Sequence, residues 1–159
     1  MDTGTAVEPV SRAVVEAFFK VYALRDADKV AEFIDDQVEW TISGPIEYLA
    51  FCGTHCGKQA VVDLIKVGVP QVLRVTSFVP EYILVDGDRV AALSRQTSRR
   101  ASDGRAMNFR VANFMRFRNG KLVQNMSLID TFDAVEQVLG VPLGVRAGIP
   151  ASRDDLVAV

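Results

Sequence analysis

The sequence predicts an α+β domain in which helices occupy much of the first half of the chain and an antiparallel sheet occupies the second. In the first half, apolar residues recur three and four positions apart over 10–23 and 58–67, a spacing that places them on one face of a helix. In the second half, apolar and polar residues alternate, which is typical of strands. Asp-Gly and Asn-Gly pairs at the breaks favour hairpin turns because they accept positive φ at low cost. The predicted strands are 72–85, 89–102, 105–118 and 121–129.

Shorter elements complete the first half. The helix 10–23 has Ser11 as a candidate N-cap, and a second, short helix is expected at about 28–34. Residues 38–42 alternate apolar and polar side chains, so they predict a half-buried strand whose central inward residue is the only tryptophan, Trp40.

Three local signals refine the second half. Pro80 has no N–H to donate, so it predicts a bulge or an edge position in the first long strand. Asp130, with Asp133 three residues later, is similar to a capping box and predicts a last helix over 130–139. The tail 141–159 mixes glycine and proline with apolar residues, and we expect it to pack over a groove or onto a partner subunit.

One polar residue interrupts an otherwise apolar face of the strand 107–117. Burying an unpaired amide costs about 1–3 kcal/mol, so Asn113 must find a partner or a ligand. Asn113 is therefore the first pointer to a pocket. The other inward positions of this strand are Met107, Phe109, Val111, Met115 and Phe117.

Composition limits the classes of function. A chain of 159 residues, 49% hydrophobic and 24% charged, predicts one soluble globular domain over 1–159 with its core at about 10–140. A formal net charge of -2 provides no basic field, so we expect no nucleic-acid partner. The first residues lack a signal-peptide pattern and no segment approaches membrane-spanning length. We therefore expect no membrane partner and a cytoplasmic location.

The predicted loop 44–57 carries the segment CGTHC, in which Cys52 and Cys56 flank the only histidine, His55. A closed zinc site needs four ligands, and the chain has no further Cys or His. Three alternatives remain for this segment: an open metal site completed by a carboxylate, a disulfide between the two cysteines, or two reduced and packed thiols. A reducing compartment favours the reduced thiols. We accordingly predict no metal and no cofactor.

The order of elements is similar to the cone-shaped, cystatin-like α+β fold of the nuclear-transport-factor-2-like superfamily. Short motifs resemble its SnoaL-like branch, which includes polyketide cyclases, ketosteroid isomerases and limonene epoxide hydrolases, and GKLVQNMSLIDTFDAVEQVLGVPLG resembles the end of the last group. The resemblance covers about 10–145 and implies a curved antiparallel sheet, three helices in the N-terminal half and a short C-terminal helix. The other motifs that carry it are DDQVEW, YLAFCGTHCGKQAV and FMRFRNGKLV.

The resemblance also implies where catalytic groups would stand. Ketosteroid isomerases use a carboxylate base on the first strand, with a Tyr and a protonated Asp as oxyanion donors. The base position falls on Trp40, the Tyr position on Phe18 and the Asp position on Asn113. An amide can donate a hydrogen bond to a carbonyl, but Trp and Phe cannot take a proton from carbon.

The hydrolase and cyclase patterns are also incomplete. Both take a carboxylate from the last strand, and that position falls on Ser127. The Arg-x-Asp pair of the hydrolases falls near Ser94 and Gln96, or on Arg95 and Thr97 if the register slips by one. No carboxylate remains at these positions.

The remaining polar groups predict a pocket for a small hydrophobic molecule with a carbonyl or hydroxyl group. Asn113 would be its hydrogen-bond donor, and His55 or Asp130 its proton-transfer group, although an idle loop position explains His55 and helix capping explains Asp130 as alternatives. Arg95 and Glu81 would form either an inner-face pair or a solvated one. The predicted substrate-binding residues are Phe18, Tyr22, Trp40, Asn125, Ser127 and Arg95.

Two functions follow from these residues. The leading prediction is a small-molecule enzyme of the isomerase, cyclase or epoxide-hydrolase kind, acting on a lipophilic carbonyl, polyketide-like or epoxide substrate. The alternative is a non-catalytic module that binds a hydrophobic ligand or dimerises. The absence of carboxylates at the positions that resemble catalytic ones favours this alternative slightly. In either case we expect a homodimer formed through the outer face of the sheet.

Overall fold

The structure is a computed structural model that describes residues 8–144. Within this range the chain forms four helices and six strands, and the third helix continues into a π-helical turn, Leu64–Gly68. Of the tail 141–159, for which packing over a groove or a partner is predicted, residues 145–159 lie outside the described part. In chain order the elements are α1 (Arg12–Ala23), α2 (Ala27–Ala31), β1 (Ile34–Ser43), β2 (Gly53–Cys56), α3 (Lys58–Asp63), β3 (Leu73–Asp86), β4 (Arg89–Arg100), β5 (Ala106–Arg118), β6 (Lys121–Ile129) and α4 (Thr131–Leu139).

All six strands form one sheet, in the order β2-β1-β6-β5-β4-β3. The last four strands are the antiparallel meander predicted from the hairpin signals. The predicted antiparallel sheet includes one parallel pair, because β1 pairs with β6 in parallel. Alternation along a strand fixes which side chains point inward, but it carries no information on the direction of the partner strand.

Both expectations for Pro80 are met. β3 is an edge strand of the sheet, and its register with β4 shifts between Pro80 and Tyr82. The capping predictions are also confirmed, since Ser11 accepts from the N–H of Val14 and Asp130 accepts from that of Asp133.

The first half of the chain differs from the sequence prediction at β2 and at the junction between α2 and β1. β2 lies in the segment predicted to be loop, because four residues give too little alternation to be recognised without their partner strand β1. The second helix ends at Ala31 rather than at about 34, and Ile34 already begins β1. Ile34 is buried as predicted, since it belongs to the inward pattern of the strand.

The helices cover one face of the sheet and leave the other open. Phe18 of α1 packs edge-on against Phe117 of β5, and Phe19 stacks on Phe78 of β3, so α1 crosses the inner face. On β5 every odd-numbered position from Met107 to Phe117 is buried. None of the helices between 8 and 144 is long and apolar enough to cross a membrane.

Candidate functional site

Three neutral polar side chains meet on the inner face of β5 and β6. Asn113 Nδ2 donates to Asn125 Oδ1 at 3.1 Å and to Ser127 Oγ at 2.8 Å, and Asn125 Nδ2 donates to the same hydroxyl at 2.9 Å. All three side chains are buried. The structure thus brings together the polar residues that the sequence placed on this face.

The free hydrogen-bonding group of Asn113 is an acceptor. Both hydrogens on Nδ2 are used inside the network, whereas Asn113 Oδ1 is buried without a partner among the described residues. To act as the predicted carbonyl donor, Asn113 would have to give up one of these two hydrogen bonds. Its oxygen instead suits a hydroxyl or another N–H or O–H donor.

Aromatic side chains pack over the network. Trp40 is the direct neighbour of Asn125 across the β1–β6 pairing, and its Nε1 is buried with no partner among residues 8–144. Tyr22 lies 5.7 Å from Trp40 and 5.8 Å from Phe18, measured between ring centroids. Trp40 and Phe18 are almost fully buried, so they act as wall and core rather than as exposed binding surface.

A small cavity opens beside this cluster, with a volume of about 30 Å³. That space is enough for one or two water molecules, so a ring-sized ligand requires side chains at the opening to move. Of the six residues predicted to bind substrate, Tyr22 and Ser127 line it, whereas Phe18, Trp40 and Asn125 are buried but do not line it. The lining residues are Tyr22, Arg25, Ile42, Phe51, Val69, Leu73, Phe78, Gln96, Phe109, Val111, Ser127 and Ile129.

The sequence reading missed Arg25, which lies just beyond the C-terminus of α1. Its guanidinium carbon is 4.6 Å from the centroid of the Tyr22 ring, and Nη1 is buried without a hydrogen-bond partner among the described residues. The sequence signal was weak, because an arginine after a helix normally reads as a solvated charge or as a favourable partner of the helix dipole.

β4 adds polar side chains to the same inner face. Gln96 lines the cavity and donates to Ser98 Oγ at 3.0 Å, and the Oγ of Ser94 is buried without a partner within 8–144. The register is therefore the first of the two considered, with Ser94 and Gln96 facing inward. Arg95, which was predicted to bind substrate, therefore does not face the pocket.

Arg95 lies on the outer face, where its side chain is 61% exposed. It pairs with Glu81 at 2.5 Å, and Arg110 pairs with the same carboxylate at 3.1 Å. Desolvation by itself would raise the pKa of Glu81, but the hydrogen bonds and charges of the two guanidinium groups together hold it below its usual value. The Arg95–Glu81 pair therefore lies on the outer face of the sheet and is not an inner-face pair, because successive residues of a strand point to opposite faces.

Neither predicted proton-transfer residue lines the cavity. His55 is partly buried on β2, and its Nε2 donates to the backbone oxygen of Phe51 at 3.1 Å. Asp130 is exposed at the N-cap of α4. Helix capping, the alternative considered for Asp130, accounts for its position.

The cysteines of the CGTHC segment are separate free thiols, Cys52 buried and Cys56 exposed. Burial raises the pKa of the Cys52 thiol to about 11. A thiol with so high a pKa is almost fully protonated near neutral pH, so Cys52 behaves as a packed apolar side chain.

Comparison with known proteins supports the fold-level resemblance. A family model described as SnoaL-like domain matches residues 15–125, more than half of the chain. The chain belongs to the SnoaL-like family. A solved structure of a putative isomerase from Rhodopseudomonas palustris is 32% identical to this SnoaL-like chain, covering 79% of it and 93% of the other protein, with a TM-score of 0.68.

More distant structures share the fold. An NTF2-like protein from Burkholderia xenovorans is 24% identical over 76% of this chain and 89% of its own, with a TM-score of 0.64. A protein with a ketosteroid isomerase-like fold from Catenulispora acidiphila, solved with trimethylamine, is 11% identical over 84% and 96%, with a TM-score of 0.67. The SnoaL-like chain therefore has the predicted NTF2-like cone. No protein of curated function matches it.

Proposed function

We propose that this SnoaL-like domain binds a small lipophilic ring compound in the inner cavity, without itself catalysing a reaction. The observation that carries the proposal is the lining of the cavity, in which apolar side chains surround the neutral hydrogen-bonding groups of Ser127 and Gln96. Such a mixture of apolar wall and few polar groups is typical of small-molecule sites. At the positions that resemble a catalytic base and a tyrosine donor stand Trp40 and Phe18, both buried in aromatic packing.

Binding requires the cavity to open. Its resting volume of about 30 Å³ is far below that of a typical ligand pocket, about 300–1,000 Å³. Tyr22 is the partly exposed aromatic residue of the lining, so its displacement is the simplest way to admit a ring. A ligand then stabilises a minor open state in proportion to its preference for that state.

The test is an NMR titration of the full-length protein with two neutral ring ketones, acetophenone and 2-acetonaphthone. We expect shifts in the methyl signals of Ile42, Val111 and Ile129, which line the cavity. The substitution Val111→Phe should fill the cavity and abolish these shifts, whereas Val79→Phe, at an exposed valine of β3, should keep them. Shifts confined to the outer face, or binding unaffected by Val111→Phe, would contradict the proposal.

A second candidate is an isomerase-type reaction, favoured by the 32% identity to a protein described as a putative isomerase. Apart from Arg25, Tyr22 is the titratable side chain among the described residues that line the cavity, so it is the candidate proton-transfer group. Deuterium exchange next to the carbonyl of 2-acetonaphthone in D₂O measures such a step directly. Exchange that is lost in Tyr22→Phe but retained in His55→Ala and Asp130→Asn supports the enzyme over the binding module.

We also propose that two copies associate through the outer face of the sheet. Leu84, Phe114 and Met126 lie in one cross-strand row there and are 70%, 51% and 44% exposed. The row forms part of a groove of about 450 Å³. Charged residues of both signs, Asp86, Arg89 and Arg116, line the same groove, so the surface can pair with its own copy rotated by a two-fold axis.

A further inference from the structure

We propose that the ligand of the inner cavity carries a carboxylate group and that Arg25 binds it. The inference rests on the proposed ligand-binding function and names the chemical class of the ligand. It is carried by the place of Arg25 in the cavity wall, by a buried Nη1 with no partner among the described residues, and by the contact of the guanidinium with Tyr22.

The backbone at Arg25 is unusual for an arginine. The residue has a φ of 56°, in the left-handed region that favours glycine or asparagine after a helix, and its N–H donates to the oxygen of Tyr22 at 3.0 Å. The left-handed turn closes α1 and leaves the side chain against the cavity. The bond is made by the backbone N–H, which every residue except proline has, so the closure of the helix does not account for the arginine side chain.

The charge of Arg25 is not balanced by its surroundings. None of the ion pairs between residues 8 and 144 involves it. It is also the one charged residue among the cavity-lining side chains within that range. A buried guanidinium donor that has lost water and gained no acceptor favours any ligand that brings an anionic oxygen to it.

The geometry favours a carboxylate over other anions. A guanidinium presents a planar pair of donors that matches the two oxygens of a carboxylate. The guanidinium carbon lies over the Tyr22 ring, 4.6 Å from its centroid, and this cation–π contact restrains the position of the charged group. A phosphate dianion would call for further cationic groups or backbone donors, and the described lining offers no second cation. The expected ligand is therefore a lipophilic ring with one carboxylate.

The experiment compares 2-naphthoate with 2-acetonaphthone, two probes of similar shape that differ in charge, by NMR titration of the full-length protein. We expect 2-naphthoate to bind about tenfold more tightly than the ketone, the size of effect expected for one charge-assisted pair. In Arg25→Gln the preference for 2-naphthoate over the ketone, measured as the ratio of the two affinities, should fall by about tenfold. Arg12→Gln, at an exposed arginine of α1, is the matched control and should keep the wild-type preference. If Arg25→Gln does not fold, Arg25→Asn replaces it, because Asn tolerates the left-handed conformation.

The outcomes separate this inference from the proposed function. If both probes bind in the cavity with equal affinity, or if the preference for 2-naphthoate survives in the Arg25 variant, the carboxylate inference is overturned and the binding function stands. If neither probe shifts the cavity methyl groups, the binding function is overturned and the inference with it. A preference that is lost in Arg25→Gln and retained in Arg12→Gln supports both.

Discussion

Asn113 and Ser127 face each other directly across β5 and β6, and Asn113 Nδ2 donates to Ser127 Oγ at 2.8 Å. The pair occupies the two positions that resemble the oxyanion donor of isomerases and the last-strand carboxylate of hydrolases. In this protein the side chains at these two positions form a hydrogen bond with each other. The amide hydrogens of Asn113 are thus used within the buried network of β5 and β6.

The network predicts a measurable cost for losing Asn113. Asn113→Ala removes the donor to Asn125 and Ser127 and leaves both buried without it, so the free energy of unfolding should fall by about 1–3 kcal/mol. Urea unfolding followed by circular dichroism measures this change. The matched control is Asn108→Ala, at an exposed asparagine of the same strand, with an expected change within about 0.5 kcal/mol. Equal costs for the two variants would refute the structural role.

Arg100 links β4 to α4 through a hydrogen bond. Its Nη1 donates to the backbone oxygen of Val138 at 2.9 Å, and its guanidinium pairs with Asp103. Because Arg100→Met removes the bond to the last turn of the helix, amide hydrogen exchange in α4 should become faster, and stability should fall by about 1–3 kcal/mol. Asp103→Asn keeps the bond to Val138 and should leave exchange in α4 nearly unchanged. Faster exchange in both variants alike would argue against the link.

Because burial raises the pKa of the Cys52 thiol, we expect the folded protein to lose stability at high pH. Its pKa is raised by burial from 9.0 to about 11, so between these values the folded chain holds the proton that the unfolded chain has released. The free energy of unfolding should therefore fall as pH rises through this window. Urea unfolding of Cys52→Ala should show a shallower decline than wild type, whereas Cys56→Ala, at the exposed thiol, should not. The same slope in all three proteins would exclude this cause.

We expect a single charged substitution on the outer face of the sheet to disrupt the proposed dimer. Phe114→Glu places a carboxylate in the middle of the exposed apolar row, so the dimer dissociation constant should rise at least about tenfold. Analytical ultracentrifugation measures it. Leu24→Glu, at another exposed apolar residue located at the end of α1, should have no effect. A monomeric wild-type protein, or equal dimerisation in both variants, would contradict the proposed face.

Local patterns in the sequence determined a large part of this structure. Alternation and the turn pairs predicted the four-strand meander, and alternation alone placed Asn113, Asn125 and Ser127 on the inner face. The caps at Ser11 and Asp130 were predicted as well. These features depend on side-chain period and on bonds between residues close in sequence, so the order of amino acids contains them directly.

Tertiary structure decided what those residues can do. It placed β1 in parallel beside β6, limited the cavity to about 30 Å³, and brought Arg25 from beyond a helix end to the cavity wall beside Tyr22. It also used the amide hydrogens of Asn113 inside the network and left its oxygen free. Each of these depends on distances between segments far apart in the chain, which period and propensity do not determine.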